Sequence, residues 1–171
     1  MKKILPILLI TALLIYVSSC EKDDICVDGD TPLLVIGFFD IEDTTVAKEV
    51  PSLRIRAIDN DSILDNDSFN DRADSPDSLL VPLRTNATNT SFEFIMDSED
   101  DETEMETGDI DPLTISYTTT EAFVSRACGF VANYDGLSIT LQESENNWIQ
   151  DIRIVQSTVE NSNNIHVKIF H

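Results

Sequence analysis

The sequence predicts an all-β protein: an immunoglobulin-like antiparallel β-sandwich of about eight to nine strands, with a small β-barrel as the alternative architecture. Three observations predict it. Apolar and polar residues alternate with period two in most segments between turns, the mark of strands buried on one face. No stretch keeps apolar residues three and four apart long enough for a substantial helix. Turn-forming residues recur at short intervals, as a stack of short strands requires.

The first element is not part of that domain. Lys2 and Lys3 precede an apolar run from Ile4 to Val17, followed by the small residues Ser18 and Ser19 and then Cys20. This is a secretory signal over residues 1–19, too short for a comfortable membrane span of about 20 residues. Val17-Ser18-Ser19-Cys20 looks like a lipobox, so Cys20 is expected to carry lipid after cleavage before it. The next residues, Glu21, Lys22, Asp23 and Asp24, resemble the signal that sends Bacteroidota lipoproteins to the outer face of the outer membrane. Residues 20–31 therefore read as a lipid-anchored tether and residues 32–171 as a single domain. Roughly 150 residues suffice for one core.

Within the domain the expected strands fall at 33–40, 52–58, 79–84, 91–96, 113–118, 123–134, 137–142, 148–155 and 165–170. The alternation is clearest where Leu113, Ile115 and Tyr117 interleave with Thr114, Ser116 and Thr118. It recurs where Leu137, Ile139 and Leu141 interleave with polar residues, and where Ile165, Val167 and Ile169 alternate with His166, Lys168 and Phe170. Asp135-Gly136 reads as a two-residue hairpin turn, because primed turns need positive φ. Pro82 marks an edge strand or bulge, since proline donates no ladder hydrogen bond. Trp148, the only tryptophan, is expected in the core.

Setting Cys20 aside leaves Cys26 and Cys128, an even pair that reads as a disulfide in an oxidising compartment. A loop of about 100 residues closed this way gains at most roughly 4.7 kcal/mol in the chain-entropy picture, and it pins the N-terminal arm to the domain.

The formal charge of −21 becomes −23 once Lys2 and Lys3 leave with the signal. Such a chain repels nucleic acid, and it either attracts cations and basic partners or stays soluble and monomeric. Two segments concentrate the acid. Residues 59–77 hold seven acids against one arginine, and residues 97–111 hold nine acids and no base. If every strand crosses the whole domain, both segments and the lipid tether emerge at one end. Clustered oxygens suit Ca²⁺, which makes Asp59, Asp61, Asp65, Asp67, Asp100, Asp101, Asp109 and Asp111 the candidate ligands, although no EF-hand pattern is complete. No other cofactor is expected.

Catalysis has little to build on: no enzyme is expected. The only histidines are His166 and His171, no Ser-His-acid or Cys-His spacing is present, and no Gly-rich phosphate loop exists. His166 falls on the outward face of the last strand. Asp43-Thr44-Thr45, Asp61-Ser62-Ile63 and Asp77-Ser78-Leu79 look like the Asp-Ser/Thr-apolar sites that are O-glycosylated in exported Bacteroidota proteins.

The lipobox cysteine, Cys26, Pro32-Leu33, Leu80-Val81-Pro82-Leu83, Ser125-Arg126-Ala127-Cys128-Gly129-Phe130, Trp148-Ile149 and His166-Val167-Lys168-Ile169-Phe170 together resemble a family of small flavobacterial lipoproteins known only as a domain of unknown function. That resemblance implies architecture and location and no activity. The expected role is a non-catalytic accessory lipoprotein of the outer membrane that binds another envelope protein or a glycan, with Tyr134 and Phe170 as exposed aromatic contacts. The alternative is a calcium-dependent adhesion or ligand-binding module built on the acidic loops.

Overall fold

The computed structural model describes residue 26, residues 30–66 and residues 68–171. The expected signal at 1–19, the expected lipidation site Cys20 and the residues Lys22, Asp23 and Asp24 read as an export signal lie outside the described residues, as does Asp67. Eight strands form: β1 (Leu34–Phe39), β2 (Arg54–Ala57), β3 (Leu79–Val81), β4 (Asn89–Met96), β5 (Asp109–Ser125), β6 (Gly129–Leu141), β7 (Asp151–Ile154) and β8 (Val167–Phe170). They make two four-stranded sheets, in the orders β3-β1-β8-β7 and β2-β4-β5-β6. The sheets are not closed into a barrel, so the sandwich is the architecture. One pair departs from antiparallel: β1 and β8 run parallel, with Ile36 opposite Val167 and Phe39 opposite Phe170.

A single apolar cluster lies between the sheets. Leu34, Ile36 and Phe38 of β1 meet Ile55, Phe92, Phe94, Leu113 and Ile115 from the opposing sheet. Period-two alternation put these residues on the inner faces, as expected for half-buried strands. β1 is instead buried on both faces along its whole length. Its outer face is roofed by long cationic side chains: the Lys168 ammonium sits 4.0 Å from the Phe39 ring centroid, and the Arg153 guanidinium 4.5 Å from that of Phe170. Their aliphatic stems cover apolar surface while the charges face the aromatic rings. Pro82 directly follows β3, which is an edge strand, as its missing donor requires.

The segment expected as one strand over 123–134 is two strands and a turn. β5 and β6 form a long ribbon that reverses at Arg126-Ala127-Cys128, with Phe123 opposite Phe130. Asp135-Gly136 is consequently not a hairpin. It lies inside β6 at a bulge, where the register slips between Ser116 and Thr118 and Gly136 takes φ +65°. The extra residue inverts the face parity. Tyr134 and Leu137, three apart, can both be buried only because of it. Their neighbour Tyr117 meets Tyr134 edge-on at 5.0 Å. The two hydroxyls then reach the chain just beyond β3, donating to Arg84 O at 2.8 Å and Leu83 O at 3.0 Å. These bonds clamp one sheet to the other.

The acidic segments do not share one end: the first begins at the end where β1 starts, with Asp59 paired to Arg84, and runs to the opposite end, where the second lies. The strand count failed because residues 58–75 turn back and run along the edge of β2, pairing Ile63 with Arg56 and Ala73 with Leu53. That return adds a crossing and reverses the parity of everything after it. The β4–β5 connection at 97–108 therefore lies at one end, and the tip of the β5–β6 ribbon at the other. The start of β1 belongs to the ribbon end, since Leu34 pairs with Val81 and Leu33 N–H donates to Ser162 Oγ.

Candidate functional site

Where the two acidic segments do meet, arginine is already present. Arg54 on β2 grips Asp71 with Nε and Nη2, at 3.0 and 2.7 Å, and places Nη1 3.1 Å from Glu106 Oε2. Arg72 pairs with Asp100 at 2.5 Å and donates from Nε to Ser98 Oγ at 3.1 Å. Ser98 Oγ in turn donates to Glu106 at 2.9 Å. Desolvation opposes ionisation of Glu106. The Gly108 N–H, the Ser98 hydroxyl and the two guanidiniums outweigh it and hold Glu106 below the ordinary glutamate value. The hydrogen bond from Arg72 likewise lowers Asp100.

The sequence-derived calcium residues are dispersed around this network. Asp59 is exposed and paired with Arg84 at the opposite end of the molecule. Asp61 sits in the turn after β2 with φ +55°, and Asp65 is exposed on the returning segment. Asp100 is held by Arg72. Asp101 Oδ1 is occupied by its own turn, accepting from Thr103 N, Thr103 Oγ1 and Met105 N. Asp109 is exposed at the start of β5. Asp111 is fully buried and accepts hydrogen bonds from Asn147 Nδ2 and Ile149 N. Among the described residues, no three His, Cys, Asp or Glu side chains gather as metal ligands.

Two expected contact residues are corrected. Tyr134 is not exposed, because the bulge turns it into the core, and Phe170 is 1% exposed between Phe39 and Arg153. His166, an outer-face position by alternation, is also buried: its Nδ1 accepts the Val35 N–H at 3.1 Å. Trp148 packs in the core as expected, its indole N–H donating to Phe94 O at 3.2 Å. Of the glycosylation positions, Ser62 and Ser78 are exposed and Thr44 is half-buried.

Two surface features stand out. The first is a groove of about 450 Å³ between the turn after β2 and the start of β4. Ile63, Leu64, Pro82 and Phe92 line its apolar part, and the Arg84–Asp59 pair stands at its rim. The second is the tip of the β5–β6 ribbon. Cys26 and Cys128 are bonded there, 102 residues apart in sequence, as the cysteine count led one to expect. Sequence reasoning missed the arginine network and the exposed Phe123–Phe130 pair. The signals were there: a lone arginine within the first acidic stretch and two shortly before it, and two phenylalanines flanking Ser125–Gly129.

No curated protein and no solved structure matches the chain. Residues 52–171, which include seven of the eight strands, match the family model described as a family of unknown function, DUF6452, and the chain belongs to that family.

Proposed function

We propose that this protein is a lipoprotein of the flavobacterial type, held on the outer membrane through acylated Cys20, whose sandwich is a non-catalytic accessory module for another envelope protein or a glycan. The observation that carries the reading is the Cys26–Cys128 disulfide. It belongs to an oxidising compartment outside the cytoplasm. It also fastens the domain to the chain only six residues beyond the lipobox cysteine. The signal over 1–19 and the residues Lys22, Asp23 and Asp24 favour export to the outer face.

The binding surface under this reading is the groove beside Arg84, an apolar floor with a charged rim, which is the usual make-up of a ligand or partner site. The non-catalytic part is favoured by the histidines, which are buried and engaged with backbone: His166 Nδ1 accepts the Val35 N–H, and His171, at the edge of a shallow groove beside Trp148, holds its Nε2 3.3 Å from Lys48 O. The calcium-dependent alternative has less behind it, because the carboxylates that do converge are matched by Arg54 and Arg72.

The test is metabolic labelling of the full chain with an alkynyl fatty acid, followed by membrane fractionation and protease treatment of intact cells. Labelled, membrane-bound protein and an unlabelled, soluble Cys20→Ala variant are expected. Replacing Lys22, Asp23 and Asp24 by alanine should remove protease access without removing the label. An unlabelled wild-type chain overturns the reading.

A further inference from the structure

Beyond Tyr117 the β5–β6 ribbon runs out of the sandwich, with Ala132, opposite Glu121, still packed against the core. From Thr118 to Asn133 no residue is buried, and the eight positions from Thr118 to Ser125 extend for roughly 26 Å at the usual strand rise. At its far end Phe123 and Phe130 face each other across the ribbon, their rings edge-on at 5.4 Å, and are 61% and 64% exposed. Val124 is exposed beside them. Paired, projecting aromatics that no described residue covers are unusual on a soluble surface.

Charge is distributed just as unevenly. The chain has 32 acidic residues, yet the stretch from Thr118 to Asn133 has one acid, Glu121, balanced by one base, Arg126. The ribbon tip itself carries no net charge, while the chain bonded to it through Cys26 is acidic on both sides, at Asp23, Asp24 and Asp28. The same tip carries Cys128, bonded to Cys26. Five residues separate Cys26 from Cys20, six steps of chain with a reach of about 20 Å.

We propose that the tip of the β5–β6 ribbon seats Phe123 and Phe130 in the interfacial layer of the phospholipid bilayer that holds the acyl chains on Cys20. The proposal rests on the lipid-anchored reading and adds a second, protein-borne contact. The short tether brings the tip to the lipid surface whatever the domain does. Exposed aromatic rings gain by entering that layer, while Glu121 and the acids flanking Cys26 stay on its aqueous side. Two contacts fix the sandwich with the ribbon towards the bilayer and with the Arg54–Glu106 end away from it.

Trp148, near the end remote from the tip, supplies an internal control. The full lipidated chain with Phe130→Trp is reconstituted in phosphatidylethanolamine–phosphatidylcholine vesicles, with and without brominated acyl chains, and the mass of the acylated protein is recorded. Brominated lipid should remove most of the emission of the introduced tryptophan and leave that of Trp148 unchanged. Phe123→Trp on the facing strand should behave alike. If Cys20 is acylated and both introduced tryptophans emit equally in the two kinds of vesicle, the tip does not touch lipid and this proposal alone falls. Emission from either that shifts only when a second envelope protein is added also overturns it, in favour of a protein contact. A chain with no acyl mass removes the anchored reading and this inference together.

Discussion

The Asp111 carboxylate accepts the Ile149 backbone N–H at 2.8 Å while itself having no exposed surface. The bond ties the start of β5 to the connection that delivers Trp148 and Ile149 to the core, and Asn147 Nδ2 adds a second donor at 2.6 Å. Asp111→Ala leaves the Ile149 N–H without a partner and opens a small void. It should cost about 2–4 kcal/mol in urea unfolding, with Asp111→Asn costing less because one acceptor survives. A loss below about 0.5 kcal/mol, the range of ordinary surface substitutions, would mean that water replaces the carboxylate.

Acid should destabilise the protein in two stages. Burial pushes His166 and His171 below the ordinary imidazole value, against the hydrogen bonds their rings make to backbone. For His166 the geometry agrees, since an Nδ1 that accepts the Val35 N–H carries no proton. The unfolded chain therefore binds protons first. The stability from both histidines is complete above about pH 6.5 and is lost as pH falls below it. Glu106 and Asp100, both lowered, contribute above their unfolded values of 4.5 and 3.8 and lose that contribution below them. Thermal midpoints measured from pH 8 to pH 3 should decline first near 6 and again below about 4.5. His166→Gln should flatten the first decline.

Much of this fold was legible because period two is a local property. Leu113, Ile115, Val167 and Ile169 declared their inner faces without any knowledge of their partners. What misled was non-local. Tyr134 follows the same alternation as Phe130 and Ala132, and only the slip at Gly136 decides which face is the core. The return of residues 58–75 along β2 depends on edge hydrogen bonds such as Leu64 N–H to Ile55 O, 2.9 Å, made by an acidic segment with little apolar content. Composition marked that segment as solvated, whereas backbone pairing made it part of the sheet edge. The candidate site was less legible still. A carboxylate's neighbours set its role, and eleven Lys and Arg residues among 32 acids do not say which acids they meet.

The arginine network predicts how the protein answers calcium. With Arg54 and Arg72 in place, Asp71, Asp100 and Glu106 have their charge matched, and calcium and chelator should give the same thermal midpoint. A calcium-specific rise of roughly 5–11 °C, the response at about 100 times a dissociation constant, would instead reveal a folded site. Arg54→Gln combined with Arg72→Gln should reverse the behaviour. The variant should be less stable than the parent, by an amount moderated because the pairs are partly solvated. Asp71, Asp100 and Glu106 are then left without their matching charges, and calcium, by screening that excess, should recover part of the loss.

Gly136 is the least conspicuous determinant of the fold and the most direct to test. Nothing lies within 4 Å of where its Cβ would stand, so a side chain there meets no clash. Its φ of +65° is the only obstacle. An alanine in that left-handed conformation costs about 1–2 kcal/mol, and asparagine, which tolerates it, less. Gly136→Ala should therefore lower stability by about that amount, and Gly136→Asn by well under half of it. Gly129 at φ +75° is similarly open but lies at the ribbon tip, away from the core. Gly129→Ala should cost no more than Gly136→Ala and should leave the Tyr117–Tyr134 contact untouched. The near-ultraviolet circular dichroism of the tyrosines separates the two, because only the bulge sets the register that buries Tyr134. If Gly136→Ala were neutral in both stability and tyrosine signal, the slip between Ser116 and Thr118 would not depend on glycine.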